Sequence, residues 1–319
     1  MFETKMSKLG LVILASAAVL AAAPAHANVI SAYTTIYGTD WTSAGTGGLR
    51  DGSGTVTVSG VSGSVSQSLL YWQGPTNSTD PNTIANIQVN GNAVTGTNIG
   101  FSDDNFWNYD NGQAYRANTT SVINGNGAYA LTGFNKPLAT GNGAGTAVFF
   151  QDGVTTNDRD VVIFNGNDSN FASAYDPAGW NLTLSGINYS GGQVLLTLFV
   201  SDGQNFGAND DGVLRINGTP IASGGIFQGD SLPGESVGNG NLFDIKTYDI
   251  TSLLSLGLNS LNLTLDDGVN DALSIIAAFV DLPAGAAPPS NTVPEPGMLG
   301  LLGLGLGGLL ARRRKASRS

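Results

Sequence analysis

Short runs in which every second residue is apolar, each ending in a turn-forming pair, limit what this chain can fold into. Ile87-Gln88-Val89-Asn90-Gly91 and Leu214-Arg215-Ile216-Asn217-Gly218 carry the alternation straight into Asn-Gly, the pair that best closes a two-residue β-hairpin. Between the two ends of the chain, turn signals recur about every ten residues and no long stretch keeps the 3.6-residue apolar spacing of a helix. Composition agrees: 45 of 319 residues are glycine, Asn, Ser, Thr and Asp are abundant, and the good helix formers Lys and Glu are scarce. The body is predicted to be all-β. One short helical turn is expected, at Thr251 to Leu256, with Thr251 or Ser252 as its cap.

The strand pattern occurs twice, at an offset of roughly 126–132 residues. Thr57-Val58-Ser59-Gly60-Val61 and Ser68 to Trp72 correspond to Thr183-Leu184-Ser185-Gly186-Ile187 and Val194 to Phe199. The two Asn-Gly hairpins correspond to each other. Tyr115 to Ile123 and Gly127 to Leu131 correspond to Tyr248 to Leu254 and Asn259 to Leu265, and Ala147 to Phe150 to Ala277 to Val280. A common strand-and-turn vocabulary is the alternative to a duplication. The expected architecture is two tandem antiparallel β-sandwiches, residues 28–175 and 176–283, each burying the inner faces of two sheets. In the second copy a strand ending in Asn-Gly, then Asp249-Ile250-Thr251-Ser252-Leu253-Leu254 and Gly257-Leu258-Asn259-Ser260-Leu261, is similar to the galactose-binding-like jelly roll. In the first copy Asn118-Thr119-Thr120 stands in place of Asp-Ile-Thr. The resemblance implies jelly-roll-like domains and no particular ligand.

Charge and missing residue types exclude several functions. Residues 28–296 hold six basic residues (Arg50, Arg116, Lys136, Arg159, Arg215, Lys246) against 23 acidic ones, a net of −17. Nucleic acid is therefore not an expected partner, nor is an anionic lipid surface, since both need positive charge at the contact. There is no cysteine, and the single histidine is His26. A body without either has no Ser-His-Asp or Cys-His catalysis and no His- or Cys-ligated metal.

Two constellations could carry chemistry. Asp266, Asp267 and Asp271 form the densest acidic loop, an oxygen-only set of the kind that suits a structural Ca²⁺; the alternative is an Asp-Asp-Gly turn closing a hairpin in water. No other cofactor is expected. Trp107 and Tyr109 sit in a polar loop with Asp103 and Asp104, where rings could stack on sugar faces and carboxylates bond hydroxyls. The same aromatics could instead plug one end of a sandwich. Trp72 and Trp180 lie on or beside apolar strands and are expected in the core. Glu235 and Glu295 are the only glutamates of the body, so a glycosidase would have to use aspartate pairs.

Both ends carry addresses. Lys5 and Lys8 precede an apolar stretch from Leu9 to Ala23, and Ala25-His26-Ala27 places small residues at the two positions a signal peptidase reads. Residues 1–27 are expected to be a signal peptide cleaved after Ala27; the stretch is short for an uncleaved bilayer anchor. Residues 284–292 form a Pro/Ala linker. Val293-Pro294-Glu295-Pro296 follows, then an apolar run from Gly297 to Ala311, then Arg312, Arg313, Arg314 and Lys315. As a helix the run reaches about 22 Å against a hydrocarbon core of about 30 Å. It is expected to be a short transmembrane helix with its basic stop in the cytoplasm and the body outside. A plain single-pass anchor would fit equally well. The three parts in this order resemble the PEP-CTERM sorting signal over residues 293–319. That resemblance implies an exosortase, cleavage near the Pro-Glu-Pro, and a place at the surface or in the matrix of a Gram-negative, exopolysaccharide-making cell.

The functional expectation is a non-enzymatic surface or matrix protein that binds exopolysaccharide or surface partners. A structural spacer without a ligand and a secreted, aspartate-dependent carbohydrate-active enzyme are the alternatives.

Overall fold

The computed structural model describes residues 30–102, 108–175, 177–205, 211–233, 241–266 and 271–287. In chain order the strands are β1 (Ser31–Thr46), β2 (Ser53–Val58), β3 (Ser64–Thr76), β4 (Asn86–Val89), β5 (Asn92–Thr95), β6 (Thr97–Ser102), β7 (Asn111–Asn118), β8 (Gly127–Thr132) and β9 (Gly143–Gln151). They continue as β10 (Arg159–Ser169), β11 (Asn181–Tyr189), β12 (Leu195–Ser201), β13 (Val213–Ile216), β14 (Thr219–Ser223), β15 (Phe243–Asp249), β16 (Gly257–Asp266) and β17 (Ser274–Pro283). The fold is all-β, as the alternating pattern requires. The expected signal peptide with Ala25 and Ala27, the segment 293–319 and the short transmembrane helix expected within it all lie outside the described residues. Among the described residues, no helix is long and apolar enough to cross a membrane.

Helical geometry among the described residues is confined to two 3-10 turns, Leu49–Asp51 and Thr251–Leu253. The second starts where a helix is expected but stops three residues short of Leu256. Neither Thr251 nor Ser252 caps it: the N-cap is Ile250, with no side-chain bond. Asp249 Oδ1 instead accepts from both the backbone N–H and the hydroxyl of Thr251, an Asx-type closure that needs no further helical turn.

A nine-stranded sheet runs β15-β12-β17-β10-β1-β9-β3-β7-β6, and two four-stranded sheets run β2-β8-β4-β5 and β11-β16-β13-β14. The two small sheets have the same order strand for strand, and so do β9-β3-β7 and β17-β12-β15. Every pair of matching sequence segments falls in a matching pair of strands. The hairpin asparagines show the correspondence in atomic detail. Asn90 (φ 48°) with Gly91 (φ 77°), and Asn217 (φ 50°) with Gly218 (φ 77°), adopt the left-handed pairs that a type I′ turn needs. Asn90 Oδ1 accepts from Ala130 N, and Asn217 Oδ1 accepts from Asn262 N. In each half the turn residue thus also docks on the neighbouring strand.

Each small sheet packs on one arm of the large one. Val56, Ile87, Leu131, Leu70, Trp72 and Tyr115 belong to one core; Leu184, Leu214, Leu263, Leu196, Leu198 and Val280 belong to another. Trp72 and Trp180 are both buried, their indole N–H groups donating to the carbonyls of Ile84 and Asp168. A third core contains Leu69, Tyr71 and Phe149 together with Ile163, Phe199 and Phe279. Its geometry fixes the shape of the large sheet. In a flat sheet β3 and β12, five positions apart, would stand about 24 Å from each other. The rings of Tyr71 and Phe199 are 5.9 Å apart, so the sheet doubles back and its two arms pack face to face.

β1 makes the bend. Its first part pairs with β10 from Ser31 to Thr39, and its second with β9 from Asp40 to Thr46. The ladder is irregular between Ile36 and Thr39, where Gly38 takes φ 53°, a conformation that costs a Cβ-bearing residue energy. β10 lies within residues 28–175, yet hydrogen-bonds to β17 on one side and β1 on the other. The arm that carries the second small sheet therefore uses strands from the first stretch of sequence.

Candidate functional site

The aspartates lie mostly where loops need fastening. Buried Asp160 accepts from the N–H groups of Gly38, Gly285 and Ala287. Asp211 accepts from Ile226 and Phe227, and Asp244 from the N–H of Gly229 and the N–H and hydroxyl of Ser231. In each case the backbone donors hold a loop to a buried carboxylate. Asp40 and Asp152 stand together at the β9–β10 connection, where Asn157 Nδ2 donates to both. Burial, then the charge of Asp152, raises Asp40 above the usual carboxylate range, while the N–H of Val154 foremost lowers Asp152. The backbone N–H of Asp152 donates to Asp40 Oδ2, so this pair too closes a loop.

Of the residues expected to hold Ca²⁺, Asp271 is buried with Oδ2 accepting from Gln204 N. Asp266 ends β16, and Asp267 lies outside the described residues. Among the described residues, no group of three or more acidic, His or Cys side chains could hold a metal ion. Of the expected sugar platform, Tyr109 is half-buried; Asp103, Asp104 and Trp107 lie outside the described residues. The loop is rooted at both ends. Phe101 is buried with its ring stacked on Tyr175 at 5.8 Å, and Asp110 N donates to Asn77 Oδ1.

A different surface stands out in geometry. The outer face of β2-β8-β4-β5 presents Ser53, Thr55 and Thr57 on β2, Ala130 and Thr132 on β8, Asn86 and Gln88 on β4 and Ala93 on β5, all exposed. The inward partners Val56, Val58, Leu131, Ile87 and Val89 are buried, so strand alternation alone sets this face. A groove of about 510 Å³ runs over Ser53, Thr55, Thr57, Ala130 and Thr132, with Pro233 as one wall. Pro233 comes from the second half and is held there by the Gly47 N–H on its carbonyl. A second groove, about 380 Å³, lies over Asn86, Gln88, Ala93 and Lys136 and shares Thr132 with the first. Among the described residues neither groove is lined by a carboxylate, and the one cation, Lys136, donates to Asn86 O. In a body of net charge −17, this face carries Lys136 as its one charge among the described lining residues and is rich in hydroxyl and amide groups.

Sequence reasoning did not single out Thr55, Thr57 and Thr132. Thr55-Val56-Thr57-Val58 does show the alternation that turns threonines outward, but nothing local places β8 beside β2 or Pro233 beside both.

Comparison with curated proteins yields no match to the chain. Residues 292–315 match the PEP-CTERM protein-sorting motif. The chain is thus an exosortase-sorted, exported protein whose C-terminal segment is a membrane-anchoring sorting signal.

Proposed function

We propose that the body is a non-enzymatic surface or matrix module that binds a neutral stretch of extracellular polysaccharide along the β2-β8-β4-β5 face. The observation that carries this reading is the hydroxyl- and amide-lined double groove, without a carboxylate among its described lining residues, in an otherwise acidic molecule. A polysaccharide chain meets threonine hydroxyls and the amides of Asn86 and Gln88 there without desolvating a carboxylate, which is a costly step. Among the described residues no aromatic ring lines either groove, so each sugar contributes little and affinity rests on repeated contact along the polymer. Tyr109 and Trp107 form a second candidate contact, on a loop rooted by Phe101.

In the same reading the two halves are copies of one jelly-roll-like unit, supported by the shared strand order. The tail inserts as a short helix until exosortase cleaves near Val293-Pro294-Glu295-Pro296. The mature body then resides at the surface or in the matrix of a Gram-negative cell. The use of Asp160, Asp211 and Asp244 as loop fasteners supports a body without catalysis.

Affinity electrophoresis through a gel holding the organism's own exopolysaccharide tests the groove. Thr55→Arg and Thr132→Arg fill it with charge from exposed positions, and a retardation at least fivefold weaker than wild type is expected for each. Equal retardation of wild type and both variants would remove the groove. Loss on Trp107→Ala with Tyr109→Ala instead would place binding on the aromatic loop, and reducing ends released from the gel polymer would favour the enzyme.

A further inference from the structure

The tail leaves the body at a defined place. Pro283 ends β17 opposite Arg159, at the start of β10. Ala284 N then donates to Asp158 O, Gly285 N and Ala287 N donate to Asp160 Oδ2, and Ala286 and Ala287 are buried in the core beneath the sheet β11-β16-β13-β14. The first four residues of the segment expected as linker are therefore part of the folded body. Nine residues remain between Ala287 and the apolar run that begins at Gly297. Fully extended they span about 30 Å, so a chain whose tail is in the membrane keeps this end of the body within about that distance of the bilayer.

The same end exposes leucine. Leu256 and Leu258 are 76% and 78% exposed, the most exposed large hydrophobic side chains among the described residues. They flank the start of β16, where Gly257 pairs with Tyr189. Tyr189 donates its hydroxyl proton to Gly192 O, and Gly192 lies against Pro283, where an added Cβ would stand 2.7 Å from the proline ring. Exposed Val154 belongs to the β9–β10 connection beside Asp158. Leu138 and Phe171 are exposed elsewhere, but singly and less fully; paired apolar side chains this exposed mark a contact site.

We infer that this end is a membrane-contacting surface, with Leu256 and Leu258 inserted among lipid headgroups while the sorting signal is uncleaved. The partner is a zwitterionic lipid surface, because Asp152, Asp158 and Asp249 at this end repel anionic lipid. Removal of the tail abolishes the tether, and two leucines alone do not hold the body there, so one cleavage frees both contacts.

The chain has no cysteine, so a single introduced thiol reports its own surroundings. Full-length precursors bearing Leu258→Cys or Leu256→Cys, and Phe171→Cys as an exposed apolar site beyond the opposite end of β10, are labelled with a polarity-sensitive fluorophore. Each is reconstituted in phosphatidylcholine vesicles, and only the chains that float with the vesicles are read. A several-fold rise in emission at 258 and 256, quenched by nitroxide on the lipid acyl chain, with no change at 171, is the expected result. The same response at all three sites overturns the inference. So does a rise at 258 and 256 that acyl-chain nitroxide fails to quench, which would mean that protein covers the leucines.

Discussion

Asp249 has no burial, yet its neighbours hold its carboxyl at about 2. The side chains of Gln193 and Thr251 act first, and the backbone N–H of Thr251 adds to them. An unfolded aspartate titrates near 3.9. The folded value is the lower one, so the stabilisation from this group is complete above about 4 and is lost as pH falls through about 2. Carboxyl NMR should give a midpoint near 2 for Asp249, with the amide of Thr251 becoming faster to exchange only below about pH 4; a midpoint near 3.9 would show that the loop does not hold the carboxylate. Asp40 works in the opposite sense. Burial raises it, so what it contributes is present below about 3.9 and fades as pH rises through its folded value. The Asx closure at Asp249 also explains why Thr251 makes a poor helix cap here. Its hydroxyl donates to Asp249 Oδ1 and accepts from Val194 N, tying β12 to the turn.

Elements in this molecule are placed by what their glycines leave out. On β9, a Cβ at Gly145 would stand 2.8 Å from the ring of Phe199, and one at Gly143 would stand 2.3 Å from Phe243 Cβ. Both rings come from the other arm of the large sheet, so the arms approach as closely as they do because β9 lacks side chains there. Gly145→Ala should overpack this contact and destabilise by about 1–3 kcal/mol, read as a lower denaturant midpoint with an unchanged slope; an unchanged midpoint would mean that the arms are not in close contact. Ala147-Val148-Phe149-Phe150 is an unbroken apolar run rather than an alternating one, the pattern of a strand with both faces buried, and β9 is buried along all but its last residue. The repeated segments made matching strands predictable, whereas β1 pairing with both β10 and β9 depends on a bend at Gly38 that nothing in the alternation announces.

The two halves are joined by polar as well as aromatic contacts. Buried Gln73 of β3 accepts through Oε1 from Asn142 Nδ2 and from the hydroxyl of Ser201 at the end of β12. Asn142 also donates to Asp202 Oδ1, which lies 3.6 Å from Arg50. Gln73→Ala leaves these buried donors without their acceptor and should cost about 1–3 kcal/mol. Because the third core and this network draw on both halves, heat unfolding of the body should show one calorimetric transition with equal calorimetric and van't Hoff enthalpies; two separable transitions would show halves that fold apart. The sites divide in the same way. The sorting motif is contiguous and legible from residues 293–315 alone. The groove needs β2, β8 and Pro233, and the membrane-facing end needs Leu256, Leu258 and the Asp160 clamp on residues 285–287.

What the sequence by itself determined is what local chemistry specifies: period-two strands, Asn-Gly turns with positive φ, a doubled strand order, an acidic body without His or Cys, and a three-part sorting tail. Each of these is written in the order and kinds of residues along the chain, without regard to what meets what in space. Only the tertiary structure decided that the large sheet doubles back, that Pro233 closes the groove, and that the exposed leucines share an end with the tail. Those outcomes depend on strands paired across more than a hundred residues. There the choice of partner is made by ring shape, missing Cβ atoms and buried amides acting together rather than by any local pattern.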